Sequence, residues 1–261
     1  MEHLNDWEEE LEKDKIKEEK DYNLDTLYEH THSELSLQQN KRDQIITLYL
    51  ALFSFLIPFA LSLESIGLWM KGLIFLVVGV IGVLFSFINV RYRVYKEVYW
   101  LSCQALTVLM NVKKEKLNKQ TIQRAFFHCL HKKGNGYVVK KGNEKVWDNK
   151  TFVKKNTFSS ETLHHMIQVL ITSVILALSA ALIMGDLFKL PLLTVIEAGV
   201  FVLLVVFALL MTTYFKKLMK VYTVMAYVNT GDPKVDKEAR NKLFNATFAY
   251  AWTLHVYYQN Q

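Results

Sequence analysis

The stretch IITLYLALFSFLIPFALSL, residues 45 to 63, holds 19 residues without a charge, and its reading decides the fold. At about 1.5 Å of rise per residue, roughly 20 helical residues cross a ~30 Å hydrocarbon layer. Three further blocks repeat the pattern: GLIFLVVGVIGVLFSFINV at residues 72 to 90, Met166 to Gly185, and Pro191 to Phe215, where Glu197 is the only charge. A helix buried in a soluble core is usually shorter and carries a polar stripe at a period of 3.6, which these blocks lack. The expected fold is a mainly α membrane protein, with four transmembrane helices as two hairpins and a cytoplasmic helical domain containing a small β-hairpin.

Outward from the blocks, charge is strongly segregated. The chain reads as an acidic cytoplasmic tail (1–44), transmembrane hairpin 1 (45–90), a basic cytoplasmic domain (91–165), transmembrane hairpin 2 (166–215) and cytoplasmic C-terminal helices (216–261). The segment from Arg91 to His165 holds 16 Lys/Arg and the segment after Phe215 holds 7, whereas the two short connections carry one lysine each, Lys71 and Lys189. By the positive-inside rule the basic segments are cytoplasmic, and both termini with them. Trp69, Tyr92, Tyr95, Tyr99, Trp100 and Tyr214 stand near block ends, as interface anchors do. The chain opens with MEHLNDWEEE and the first block begins more than 40 residues in, so no cleavable signal peptide is expected. Cys103 and Cys129, the only cysteines, are expected as free thiols on the reducing side.

The tail carries 14 acidic residues against 6 basic, and the rest of the chain 25 basic against 11 acidic, so an acidic tail opposes a basic body. Leu4, Trp7 and Leu11 recur at helical spacing in this tail. It reads either as a solvated extension or as a flap, with Trp7, Glu8, Glu9 and Glu10 at its centre, that covers a basic surface or pore mouth. Helices are expected to continue beyond residue 90 and beyond Phe215, with another at Asn118 to Leu130 and a last one from Glu238 to about Tyr257. Gly134, Gly136 and Gly142-Asn143 punctuate β-prone pieces at Tyr137 to Val139 and Lys145 to Trp147, which read as the hairpin. Lys96-Glu97-Val98-Tyr99 beside Lys220-Val221-Tyr222, and Phe126-Phe127 beside Phe248, suggest a duplicated origin at an offset of roughly 123 residues.

No catalytic constellation is present, and an enzyme is not expected. His128-Cys129 with His131 matches no metal-ligand spacing, Gly134-Asn135-Gly136 lacks the spacing of a nucleotide loop, and no cofactor or metal is implied. Glu197 has two readings: a ring of pore glutamates in an oligomer, or a residue near the outer interface that snorkels or pairs with Lys189 or Lys71. Four helices enclose little water, so a pathway needs several subunits, a tetramer being the expected number. The cytoplasmic lysines also have two readings. They can hold the domain against anionic lipid. Alternatively Lys132, Lys133, Lys140, Lys141, Lys145, Lys154 and Lys155, interleaved with Tyr137, Trp147 and Phe152, suit an oligonucleotide-like anion such as single-stranded DNA.

The run Gln-Gln-Asn-Lys-Arg-Asp-Gln at residues 38 to 44 leading into the first block, the paired blocks with minimal connections, and Arg91-Tyr92-Arg93 at the exit of the second resemble small membrane effectors of bacterial antiphage systems. In its acidic tail on a basic four-span body the chain is most similar to the channel-forming effectors of Hailong systems, over residues 38 to 93 in sequence and beyond that in layout. The resemblance implies an oligomeric pore of the bacterial inner membrane, kept closed by DNA oligomers from a nucleotidyltransferase-like partner enzyme. A non-conducting membrane scaffold or lipid-binding module is the alternative.

Overall fold

The computed structural model describes residues 24–111, 119–141, 144–228, 232 and 234–239. Four helices are long and apolar enough to cross a membrane: α1 (Leu24–Ser62), α2 (Leu68–Asn111), α5 (Ser160–Leu187) and α6 (Leu192–Tyr227). Between α2 and α5 lie α3 (Lys119–Asn135), β1 (Val138–Lys141), β2 (Glu144–Trp147) and α4 (Asn149–Thr157). A helix satisfies every backbone amide within its own segment, the form a long charge-free chain requires away from water. The outward side chains of these blocks, such as Phe55, Leu84, Leu193 and Phe201, are apolar.

The four helices pack in the order α1, α2, α5, α6, with the most extensive contact between α2 and α5. The links after α1 and α5 are tied to each other: the Trp69 amide donates to Asp186 Oδ2 at 3.0 Å, and Lys189 Nζ lies 3.4 Å from Asp186 Oδ1. Lys71, read as a loop charge, is buried and donates to the Leu61 carbonyl at 3.0 Å, so its cation sits at the C-terminal end of α1, where the helix dipole is negative. Ser179 Oγ bonds the Gly72 carbonyl across the α2–α5 contact at 2.8 Å.

Beyond the apolar blocks, α2 and α6 continue as single helices and hold a second core. Val94, Val98, Leu101, Leu218, Val221 and Met225 pack with Phe126, Phe127 and Leu130 of α3 and with Phe152 of α4. The strands pair antiparallel in the register Val138 with Trp147, Val139 with Val146, Lys140 with Lys145 and Lys141 with Glu144. Asp148 caps α4 by accepting from the Thr151 amide at 3.0 Å, and Ser159 caps α5.

Two expectations are revised, and the expected final helix lies almost wholly outside the described residues. Residues 24–44 of the acidic tail are helix continuous with the first block, with Thr31 and Gln38 buried, whereas Trp7, Glu8, Glu9 and Glu10 lie outside the described residues. The helix expected to stop at Leu130 runs to Asn135, so Gly134 is its last turn and not part of the loop. The expected final helix is described only over 234–239.

Gly134 matters for a reason the loop reading misses. A Cβ there would stand 2.6 Å from Ala226 Cα and 2.6 Å from the Met225 carbonyl carbon, so the bare glycine lets α3 lie directly on the backbone of α6. Because the obstructing atoms are backbone, Gly134→Ala should destabilise the second core by about 1–3 kcal/mol. A lower unfolding temperature in detergent checks this, while Gly136→Ala, which meets only the Lys133 carbonyl at 3.3 Å, should change it much less.

Candidate functional site

The densest polar cluster lies where all four apolar blocks end. Arg93, three residues past the second block and 7% exposed, is enclosed by side chains from three other segments. Its Nη1 donates to Tyr214 Oη at 2.6 Å, Thr162 Oγ1 at 3.1 Å and Ser159 Oγ at 3.3 Å, and its Nη2 to Asn156 Oδ1 at 3.4 Å. The guanidinium carbon also lies 5.7 Å from the Tyr214 ring centre. Tyr214 in turn hydrogen-bonds Thr162 at 2.9 Å and stacks on His165, ring centres 4.2 Å apart. One arginine of α2 therefore holds the α4–α5 junction and α6 together.

Beside it Glu161 accepts from both Arg42 of α1 and Lys96 of α2. Burial alone would raise this carboxyl, but the two cations outweigh it and hold it below the ordinary glutamate value. A small pocket between Arg42, Arg93, Glu161 and Tyr214 also takes in Ile46, Asn89, His164 and His165.

Above the cluster, Asn89 donates to Gln168, and Tyr49 meets Thr172 at 3.0 Å. The polar line then ends at an apolar plug of Tyr49, Phe75, Val78 and Ile175, each at most 2% exposed. The interior of a single chain is dry at that level.

The basic residues divide into two groups. Lys132, Lys140, Lys141 and Lys154 are exposed on the second core. Lys133 is committed internally, 2.6 Å from Glu97 Oε1 and 5.0 Å from the Trp100 ring. Lys155 donates to the Gly136 carbonyl at 2.9 Å and lies over the Tyr137 ring. The Lys145 side chain lies outside the description, but its backbone is paired directly with Lys140.

The stacking platforms are corrected. Tyr137 is 8% exposed and packs on Trp147, Phe152 and Tyr222 at centre separations of 5.7, 5.0 and 5.5 Å, so its faces are occupied by protein. Trp147 is half-buried in the same cluster, and its Nε1 donates to Asn149 Oδ1 at 2.7 Å. These rings pack on one another and build the domain.

Glu197 is exposed on α6, turned away from the other three helices and set among Leu193, Val200, Phe201 and Leu204, all exposed. Among the described residues no cluster of three potential metal ligands occurs. Cys103 and Cys129 are free, and burial pushes both thiols up, away from the reactive thiolate. Comparison with protein-family models, characterised proteins and solved structures gives no match. The fold and the site thus define a mostly helical protein with four potential membrane spans and a second, lysine-bearing core built on α3, α4 and a two-stranded sheet.

Sequence reading missed the Arg93–Glu161 cluster. Its available signal was the four-residue spacing of Asn89 and Arg93, which puts both on one helix face at the edge of an apolar block.

Glu161 carries a pH dependence with a definite sign. Its folded carboxyl is depressed, so its stabilising contribution is present above the unfolded value and is lost as pH falls through the lower folded value. Unfolding temperature should therefore drop below about pH 4, and Glu161→Gln should lower stability at neutral pH while removing this part of the acid dependence.

Proposed function

We propose that this chain is a multi-pass membrane protein with both termini cytoplasmic, which assembles as a homo-oligomer, a tetramer by expectation, into an ion channel. Opening of the channel is controlled by an oligonucleotide-like anion on the basic cytoplasmic surface. The observation that carries the reading is Glu197. A carboxylate on the outward face of an apolar helix is costly against lipid and is relieved by a neighbouring subunit or a water-filled path. In this reading ions pass between subunits, because the Tyr49–Phe75–Val78–Ile175 plug closes the interior of each one.

The exposed lysines Lys132, Lys140, Lys141 and Lys154 support the ligand, as does the paired register of Lys140 and Lys145. The resemblance to antiphage membrane effectors supplies the setting: a bacterial inner membrane, a nucleotidyltransferase-like partner enzyme making the oligomer, and depolarisation on opening. The second reading, a non-conducting scaffold whose lysines bind lipid, is favoured by the closed interior of the single chain.

Proteoliposomes decide between them. Cation flux is expected, with Glu197→Gln reducing cation over anion selectivity; liposomes that stay tight with and without single-stranded DNA oligomers would overturn the channel. For the ligand, the triple change Lys132→Ala, Lys140→Ala and Lys141→Ala should weaken oligonucleotide binding and flatten its salt slope by roughly 2, about 0.7 per lost phosphate contact. Lys133→Ala should instead act on stability through Glu97. A salt titration by fluorescence anisotropy reads both.

A further inference from the structure

The pocket beside Arg93 is polar beyond what the fold accounts for. Asn89, Arg93 and His165 are 5, 7 and 4% exposed, yet Asn89 Oδ1, Arg93 Nε and both ring nitrogens of His165 have no hydrogen-bond partner. Buried polar groups are almost always paired with protein or water, so these atoms mark a site completed from outside.

Its charge and depth say by what. Three cations, Arg42, Arg93 and Lys96, stand against two carboxylates, the half-buried Glu161 and the exposed Asp43 that binds Arg42, which leaves one positive charge in excess for an anion. The enclosed part holds little more than a water molecule, so an anion lies across the mouth, against Arg42 and the exposed His164, with water below it reaching Arg93 Nε and the His165 ring. From the rim, the exposed His164 leads onto the exposed apolar face of α5 at Ile167, Val174 and Leu178, which suits acyl chains and not nucleic-acid bases.

We infer that this pocket binds the phosphate of an anionic phospholipid headgroup in the leaflet that faces the basic core. Basic pockets between helices at that level fit such headgroups. The inference rests on the membrane reading above but is independent of conduction. Lipid phosphate and free phosphate share the chemistry, and the apolar face beside the rim selects the lipid.

The test uses the full chain in mild detergent, with native mass spectrometry of bound phosphatidylglycerol and phosphatidylcholine and with inorganic phosphate as competitor. Phosphatidylglycerol should be retained preferentially, and Arg42→Gln should cut that preference about fivefold. Glu161→Gln breaks the same ion pair but removes the negative charge, so it should raise retention. A merely structural role for the pair predicts that both variants change retention in the same direction, and that result, or equal retention of the two lipids, overturns the proposal. Displacement of the lipid by millimolar phosphate would reassign the site to the free anion. If alkaline carbonate strips the chain from membranes, the membrane reading itself fails, whatever the purified protein binds.

Discussion

A guanidinium taken out of water needs acceptors around it, and the two Nη groups of Arg93 find them in Tyr214, Thr162, Ser159 and Asn156. Those four residues belong to α6, the start of α5, the turn before it and the end of α4. Satisfying one side chain therefore fixes where the soluble core attaches to the long helices. Glu161 adds α1 to the same node through Arg42, and the four apolar blocks then diverge from a common, hydrogen-bonded base.

Above that base the packing changes character. Asn89 with Gln168 and Tyr49 with Thr172 hold the helices by single polar contacts, and beyond them Phe75, Val78 and Ile175 close the interior. The interior is thus polar at one end and sealed in the middle, while the one carboxylate of the fourth block faces outward on α6. Below the base, the rings of Tyr137, Trp147, Phe152 and Tyr222 are spent on cohesion, which turns the lysines of the hairpin and of α4 toward solvent. Burial drives the Tyr222 phenol well up, and Glu97 beside it adds to the effect, so that ring stays neutral.

The long helices were legible because a charge-free block is a statement about solvent that no tertiary contact has to complete, and the hairpin was legible from glycine and β-branched residues at short range. Gly134 was misread because the residue types that make a turn also allow two helix backbones to touch, and only the position of Ala226 separates the cases. Tyr137 and Trp147 were misread because an aromatic residue beside lysines looks the same in sequence whether its ring faces solvent or Phe152. Arg93 was hidden for a related reason: among many basic residues near a block end, the buried one is chosen by partners 63 to 121 positions away.

The unbroken length of α2 has a mechanical meaning. From Val83 to Asn111 it contains neither glycine nor proline, and α6 contains neither from Val200 to Tyr227, so neither stretch has a residue at which bending is easy. That part of α2 is a rod of roughly 43 Å, and the glycines of both helices, Gly72, Gly79 and Gly82 in α2 and Gly199 in α6, all lie on the far side of Arg93 from the lysine-bearing core. A rod without a hinge cannot absorb displacement locally: a load on that core is carried past Arg93 before it meets a residue that bends easily.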